Sequence, residues 1–133
     1  MRVIKFKAKC VDSGEWIAGN LVSYREDDGR DIVCIVSDHR NEIDACLEFT
    51  EVDPDTVCQF TGLYDSKGRE IYEGDTFRLG EHVIKVVYEA DRSSFVLRMI
   101  GERNWQLPLD KLFCESDYDG ICGNIYDSNI NNR

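Results

Sequence analysis

Residues 61–75 read TGLYDSKGREIYEGD, and this stretch contains the clearest folding signal in the chain. Asp65 opens a polar turn, and its carboxylate is expected to accept hydrogen bonds from the backbone amides two and three residues later. Gly68 closes the turn, because glycine adopts the left-handed backbone conformation that other residues resist. The order Asp-Ser-Lys-Gly therefore predicts a β-hairpin with a type I turn and a glycine bulge. Gly74 and Asp75 are expected to form a second corner that directs the chain into the next strand.

A calcium loop is the functional alternative for this stretch, since its acidic residues supply oxygen ligands. The EF-hand spacing, with acids at alternate positions and glycine at the sixth, does not occur in it. Asp and Gly are the ordinary residues of tight turns. The sequence therefore favours two hairpin corners over a metal site here.

Alternation of apolar and polar residues predicts strands along most of the chain. In residues 3–9 the apolar residues alternate with lysines, which is typical of a half-buried strand. Residues 31–37 are rich in Val and Ile and predict a strand that is buried on both faces. Residues 38–50 are compatible with a strand or with one or two helical turns.

The expected fold class is mainly β, in two regions that share one compact unit. Residues 1–55 predict an N-terminal β-sheet region. Residues 56–133 contain five short predicted strands, which favour a small antiparallel barrel because closure removes exposed strand edges. Apolar residues at i, i+3 and i+4 after Pro108 predict one short helical turn near 108–113.

Composition indicates an untargeted globular protein. The chain has 133 residues, of which 42% are hydrophobic and 32% charged, so it is long and apolar enough to form a core without disulfides or metal. The longest apolar runs, such as residues 32–36, are too short to span a bilayer, and no continuous apolar segment follows the basic start. We therefore expect a cytoplasmic protein with no membrane partner.

Acidic residues dominate the charge of the chain. The net charge is −10, and between residues 26 and 55 eleven acids stand against only Arg30 and Arg40. Nucleic-acid affinity depends mainly on lysines and arginines that displace counterions, so direct nucleic-acid binding is not expected. A solvated acidic surface that aids solubility is the ordinary interpretation. The functional alternative is mimicry of nucleic acid, which needs carboxylates spaced like phosphates on one face.

Cysteine and histidine residues form no recognisable metal or catalytic pattern, so the sequence predicts no catalytic residues, no metal and no cofactor. No two of the six cysteines are separated by only two residues, whereas structural zinc sites usually use such pairs. Without a secretory signal, buried free thiols are expected rather than disulfides. The enzymatic or metal-dependent alternative is a site assembled from distant residues, with His39 or His82 beside carboxylates or beside Cys114 and Cys122.

Three segments resemble the YopX family of phage and prophage proteins. Residues 57–75 resemble the family run TVGQYTGL–DxxG–xEIYEGD, residues 4–8 (IKFKA) resemble its opening IKFRAW strand, and residues 123–126 match its closing GNIY. Cys58 stands where the family usually has glycine, which suggests that this backbone position needs no positive φ. Lys7 and Lys9 depart from the usual arginine and tryptophan, which affects only the packing of the first strand.

The resemblance implies a β-rich fold with a small SH3-like barrel in the C-terminal half, and no established reaction or assigned catalytic residues. The acidic surface, the expected small barrel and the missing catalytic motifs together favour a non-enzymatic binding module for another protein, such as a host or phage factor. SH3-like barrels often bind through aromatic side chains between loops, and the candidates here are Trp16, Tyr64, Tyr72 and Trp105. Each of these residues has a core or hairpin anchor as its structural alternative. Homo-oligomerisation through exposed strand edges is also open.

Overall fold

The computed structural model describes residues 2–40, 45–110, 113 and 120–127. Eleven strands lie within these residues, and every strand pair among them is antiparallel. The strands are β1 (Phe6–Lys9), β2 (Trp16–Arg25), β3 (Asp31–Arg40), β4 (Ala45–Glu51), β5 (Cys58–Tyr64), β6 (Glu70–Tyr72), β7 (Asp75–Leu79), β8 (His82–Glu89), β9 (Ser94–Met99), β10 (Gln106–Pro108) and β11 (Ile121–Asn124). Short 3-10 turns occur at Pro54–Thr56 and Ala90–Arg92. The mainly β class is confirmed.

The chain forms two compact units, Met1–Gln59 and Phe60–Arg133. Strands of the first unit follow the order β4-β3-β2-β1-β5, with only the first residues of β5 paired to β1. The remainder of β5 belongs to the second unit, where it pairs with β6. The division of the chain into domains at residues 1–55 and 56–133 remains a prediction.

The core of the first unit lies on one face of its sheet. Ala8, Ile35 and Val52 are fully buried there, because alternate residues of each strand point to the same side. Partly buried apolar side chains pack around them: Phe6, Ile17, Leu21, Val33 and Val57.

The first sheet is also joined at one end by backbone contacts. An isolated antiparallel bridge connects Cys10, which follows β1, with Val52, which follows β4. Beside it, the Asp53 backbone N–H donates to the Lys9 carbonyl oxygen at 2.9 Å. The sheet therefore curves enough to bring the ends of β1 and β4 together.

The limits of the N-terminal strands differ from the predicted ones. The ladder between β1 and β2 starts at Phe6 and Gly19, so β1 begins three residues later than expected and Ile4 is exposed. Ala45–Glu51, which the sequence left between strand and helix, form β4, whereas residues 41–44 lie outside the described residues. The prediction that 31–37 are buried on both faces is confirmed by burial at both odd and even positions.

The second unit contains a five-stranded sheet in the order β10-β9-β8-β7-β11. Its core consists of the buried side chains Ile71, Phe77, Ile84, Val86 and Leu97. Within the described residues β10 and β11 are the two edges of this sheet, so the predicted closed barrel is wrong. Hydrophobic alternation predicts strands, but it carries no information on whether the first and last of them pair.

The predicted helical turn near 108–113 falls partly on residues 111–112, which lie outside the described residues. Pro108 is the last residue of β10 and is not helical. Phe113 is helical, and its backbone N–H donates to Oδ1 of Asp110 at 2.9 Å. Asp110 therefore has the contact of an N-cap residue, two residues after the predicted start.

Candidate functional site

The signature turn is built around Asp65. Its N–H donates to the Arg69 carbonyl at 2.8 Å, and the Gly68 N–H donates to the Asp65 carbonyl at 3.0 Å. Gly68 has φ +80°, the left-handed conformation that favours glycine. Oδ1 of Asp65 accepts the N–H groups of Lys67 and Arg69 at 2.9 and 2.8 Å, which are two and four residues later.

Asp65 also holds a strand that is distant in sequence. Its Oδ2 accepts the Ile121 N–H at 3.0 Å and Nε of Arg69 at 2.9 Å. Arg69 in turn donates from Nη2 to the Ile121 carbonyl at 2.8 Å. Gly120 has φ +87°, and a Cβ there would lie 2.8 Å from both side chains. Any other residue at this position would therefore have to displace the Asp65 and Arg69 side chains.

Hydrogen bonds decide the charge state of Asp65. Burial alone would raise the pKa of this carboxyl group. The N–H groups of Ile121, Arg69 and Lys67, together with the Arg69 guanidinium, outweigh burial and lower the pKa below its ordinary value. Asp65 is therefore ionised at neutral pH, and its buried charge is paired and hydrogen-bonded.

A second buried carboxylate holds the same strand from the other corner. Oδ2 of Asp75 accepts the Tyr72 N–H at 2.8 Å, and Oδ1 accepts Nδ2 of Asn124 at 2.9 Å. Oδ1 of Asn124 accepts the Tyr126 N–H at 2.9 Å, so both ends of this amide are used. Asp75 and Asn124 are both buried.

Gly74 brings the backbone of this corner close to the strand. It has φ +85°, its N–H donates to the Val86 carbonyl at 2.8 Å, and its carbonyl accepts the Ile125 N–H at 2.9 Å. We refer to Asp65, Arg69, Asp75 and Asn124 as the polar clasp. All four residues belong to the segments that resemble the family signature. Their hydrogen bonds attach β11 to the rest of the second unit.

Two of the predicted partner-binding aromatics lie in the β5–β6 hairpin. Tyr72 is buried, and its O–H donates to Oε1 of Glu70 at 3.1 Å. Burial and the Glu70 charge raise the pKa of this phenol. Tyr64 is exposed and meets the ring of Phe60 edge-on at a centroid distance of 5.6 Å.

The other two predicted aromatics have different surroundings. Trp105 is half-buried and packs against the core of the second unit. In the first unit, Nζ of Lys7 and of Lys9 lie 4.7 and 5.6 Å from the ring centroid of Trp16, within cation–π range. The assignment of the four aromatics to partner binding stays a prediction.

A surface that the sequence did not single out lies on the first unit, on the face of the sheet opposite the core. Strand alternation and cross-strand register place one set of apolar residues there. We call this set the Tyr24–Phe49 face: Val22, Tyr24, Ile32, Cys34, Val36 and Phe49. The three β3 residues of the set are buried, whereas Tyr24 is 47% and Phe49 59% exposed.

A carboxylate also lies on this face, two residues along β4 from Phe49. Glu51 is the cross-strand partner of Cys34, so it points to the same side of the sheet. Desolvation, Glu26, Cys34 and Glu51 raise the pKa of Tyr24, whereas Arg30 acts in the opposite direction. Burial and Glu51 also raise the pKa of the Cys34 thiol, so it is protonated at neutral pH. The apolar content of β3 was the only sequence signal for this face, because residues 38–50 had no assigned secondary structure.

The residues considered for an assembled catalytic or metal site are spread through the chain. Across the described residues, no group of three or more His, Cys, Asp or Glu side chains is placed to hold a metal ion. Cys10, Cys34, Cys58 and Cys122 are free thiols, and Cys114 lies outside the described residues. His82 is exposed. In the same part of the chain, no helix is both long and apolar enough to cross a bilayer.

Comparison with protein families identifies a family that this chain matches. The model described as YopX protein matches residues 5–129, nearly the whole chain and all of the polar clasp. The chain belongs to the YopX family. Comparison with curated proteins finds no match. For this YopX family member the signature residues are structural, since Asp65 and Asp75 use their carboxylates to attach β11.

Proposed function

We propose that this YopX family member is a non-enzymatic protein-binding module and that the Tyr24–Phe49 face is its contact surface. The exposure of two large aromatic side chains on one sheet face is the observation that carries the proposal. Burying a side chain of this kind is worth about 1.5–3 kcal/mol, so leaving two of them in water favours a partner that covers them. We expect the partner to be a host or phage protein in the cytoplasm.

In this proposal the Tyr24–Phe49 face belongs to the first unit alone. The clasp carboxylates of the second unit are buried and fully engaged in the contacts described above, so they are poorly suited to act on a ligand. The resemblance suggests an SH3-like strand arrangement for residues 56–133, and we retain that arrangement as part of the proposal, with the sheet left open at β10 and β11. Tyr64, the exposed aromatic of the β5–β6 hairpin, is the second candidate contact residue.

Affinity capture with matched surface variants tests the proposal. The intact chain is immobilised and compared with the double variant Tyr24→Ser/Phe49→Ser in a host lysate. The control is Tyr88→Ser/Leu107→Ser, which removes an aromatic and an aliphatic side chain of comparable exposure from the second unit. We expect the wild type and the control to retain the same protein, and the Tyr24→Ser/Phe49→Ser variant to lose it. Equal retention by all three chains would contradict the proposed surface.

A further inference from the structure

We propose that β7 and the polar clasp form an acceptor site for the β11 segment, residues 120–127, of a second copy of this chain. Two copies that exchange this segment form a dimer, which we call the exchanged dimer. This exchange goes beyond the proposed function, because it concerns the second unit and does not involve the Tyr24–Phe49 face. Two properties of the segment support it: how the segment is held, and which of its residues the site recognises.

The segment is attached to the sheet by one short ladder. Within the described residues β11 pairs with β7 alone and is an edge of its sheet. This ladder has three residue pairs, with a register shift between Ile121 and Gly123. The ladders that join β7, β8, β9 and β10 do not include β11. Detachment of β11 therefore leaves the pairing of four strands in place, as in the local openings of short edge elements.

The segment carries its own turn. The Asn124 N–H donates to Oδ2 of Asp127, and the Asp127 N–H donates to the Asn124 carbonyl, both at 2.9 Å. The Tyr126 N–H donates to Oδ1 of Asn124 at 2.9 Å. These bonds stay with the segment when it moves from one copy to another. Its partners in the clasp and in β7 all lie between residues 65 and 77, so the same contacts form within one copy or between two copies.

The site recognises particular residues of the segment. Gly120 is buried, and a Cβ there would meet side chains of the clasp. Ile121 packs against the core of the second unit. Asn124 is 2% exposed, and its Nδ2 donates to Oδ1 of Asp75 at 2.9 Å and to the Glu73 carbonyl at 3.4 Å. The site therefore selects glycine, an apolar residue directly after it and asparagine four positions after the glycine, and a second copy of this chain carries that pattern.

Chain concentration decides between the single chain and the exchanged dimer. Because the contacts are the same in both, the segment of the same copy competes through its effective concentration, which is on the order of 1 mM for linked segments. A dilute chain with a matching site and segment is therefore expected to be a monomer. Exchange is favoured when the segment of the same copy fits its own site poorly and the segment of another copy fits it well.

Two complementary variants of the full chain test the exchange. Asp75→Asn changes the acceptor site and places two amides against each other, whereas Asn124→Asp changes the segment and places two carboxylates against each other. In an exchanged dimer of one copy of each, one site has the native Asp75 and Asn124 and the other has the same pair reversed. Both sites are then satisfied, so unfolding the two variants together in urea and refolding them should give a dimer. Its dissociation constant by sedimentation should be about a hundredfold lower than for either variant alone, because a mismatched buried hydrogen bond is relieved at two sites.

The double variant Asp75→Asn/Asn124→Asp is the matched control. It carries both changes in one copy, so its own segment fits its own site and it should stay a monomer. A mixture that remains monomeric, or dimers of equal strength in the mixture and in the double variant, would overturn the exchange. If a single variant does not fold alone, mixing should restore the β-sheet circular dichroism signal of the folded chain. A mixture that stays unfolded would also overturn the exchange.

Discussion

The two units differ in how many polar side chains they bury. Among the described residues, four of the buried polar side chains belong to the second unit: Asp65, Asp75, Thr76 and Asn124. The first unit contributes only Thr56 to the same set. Two antiparallel sheets of similar size are therefore held together by different means.

Strand length explains the difference. The first unit has β2 and β3 of ten residues each, paired by a continuous ladder, and the backbone bridge between Cys10 and Val52 joins its ends. The second unit ends in β11, a four-residue edge strand whose register shifts between Ile121 and Gly123. Because such a strand offers few ladder hydrogen bonds, the polar clasp supplies additional ones. A short edge strand thus depends on individual side chains, whereas a long central strand does not.

The largest effect is expected from Asp65→Ala. This variant removes four hydrogen bonds to a buried carboxylate, and we expect the free energy of unfolding to fall by about 3 kcal/mol in urea denaturation. Asp28→Ala is the matched control in the first unit, since Asp28 also pairs with an arginine but its side chain is 59% exposed against 1% for Asp65. The free energy of unfolding of Asp28→Ala should fall by about 0.5 kcal/mol or less. Similar losses in the two variants would remove the contrast between the units.

Gly19→Ala tests whether the first unit depends on close backbone packing. A Cβ at Gly19 would lie 2.4 Å from the Val36 carbonyl oxygen, so β2 and β3 must separate to admit it. We expect a loss of about 2–3 kcal/mol, which thermal or urea unfolding would measure. Ala18→Val is the control, because it adds atoms at the exposed neighbouring position and should be close to neutral. A neutral Gly19→Ala would show that the first sheet is more tolerant than its ladder suggests.

Gly120→Ala and Gly14→Ala compare two glycines with similar positive φ, +87° and +72°. Nothing lies within 4 Å of a Cβ built at Gly14. The free energy of unfolding of Gly14→Ala should therefore fall by only about 1 kcal/mol, the cost of a positive φ for alanine. At Gly120 the Cβ also meets the Asp65 and Arg69 side chains. We therefore expect the free energy of unfolding of Gly120→Ala to fall by about 2 kcal/mol. The difference between the two midpoints in urea measures the close fit at the clasp, and equal losses would mean that the clasp side chains move aside at no cost.

The smallest effect is the pH dependence of stability that comes from Asp65. Its pKa is lowered in the folded state, so its contribution is fully present above the ordinary value near 4 and is lost as pH falls through the folded pKa. Urea unfolding between about pH 5 and pH 2 should therefore show a decline in stability that is reduced in Asp65→Asn. An unchanged decline in Asp65→Asn would assign the acid sensitivity to other carboxylates.

Local signals were sufficient to predict much of the fold. Alternation predicted most of the strands because it reports burial directly, and the Asp65 and Gly68 positions predicted a turn because their preferences act within four residues. The failures concern residues that meet only after folding. Asp75 and Asn124 are 49 residues apart, and nothing in a chain with 26 acids distinguishes Asp75 from the rest. Phe49 was missed for a related reason, since the strand that exposes it is defined by its pairing with β3 and not by its own pattern.

The distance in sequence between the signature turn and β11 has a consequence for synthesis of the chain. The Ile121 N–H that Asp65 accepts is made 56 residues after Asp65 itself. At ordinary translation rates this corresponds to roughly 3 to 11 seconds. During that interval the Asp65 carboxylate on the nascent chain has no Ile121 amide to bind, whereas every strand contact of the first unit is already available. The ribosome therefore releases the parts of the first unit for folding several seconds before the second unit can be completed.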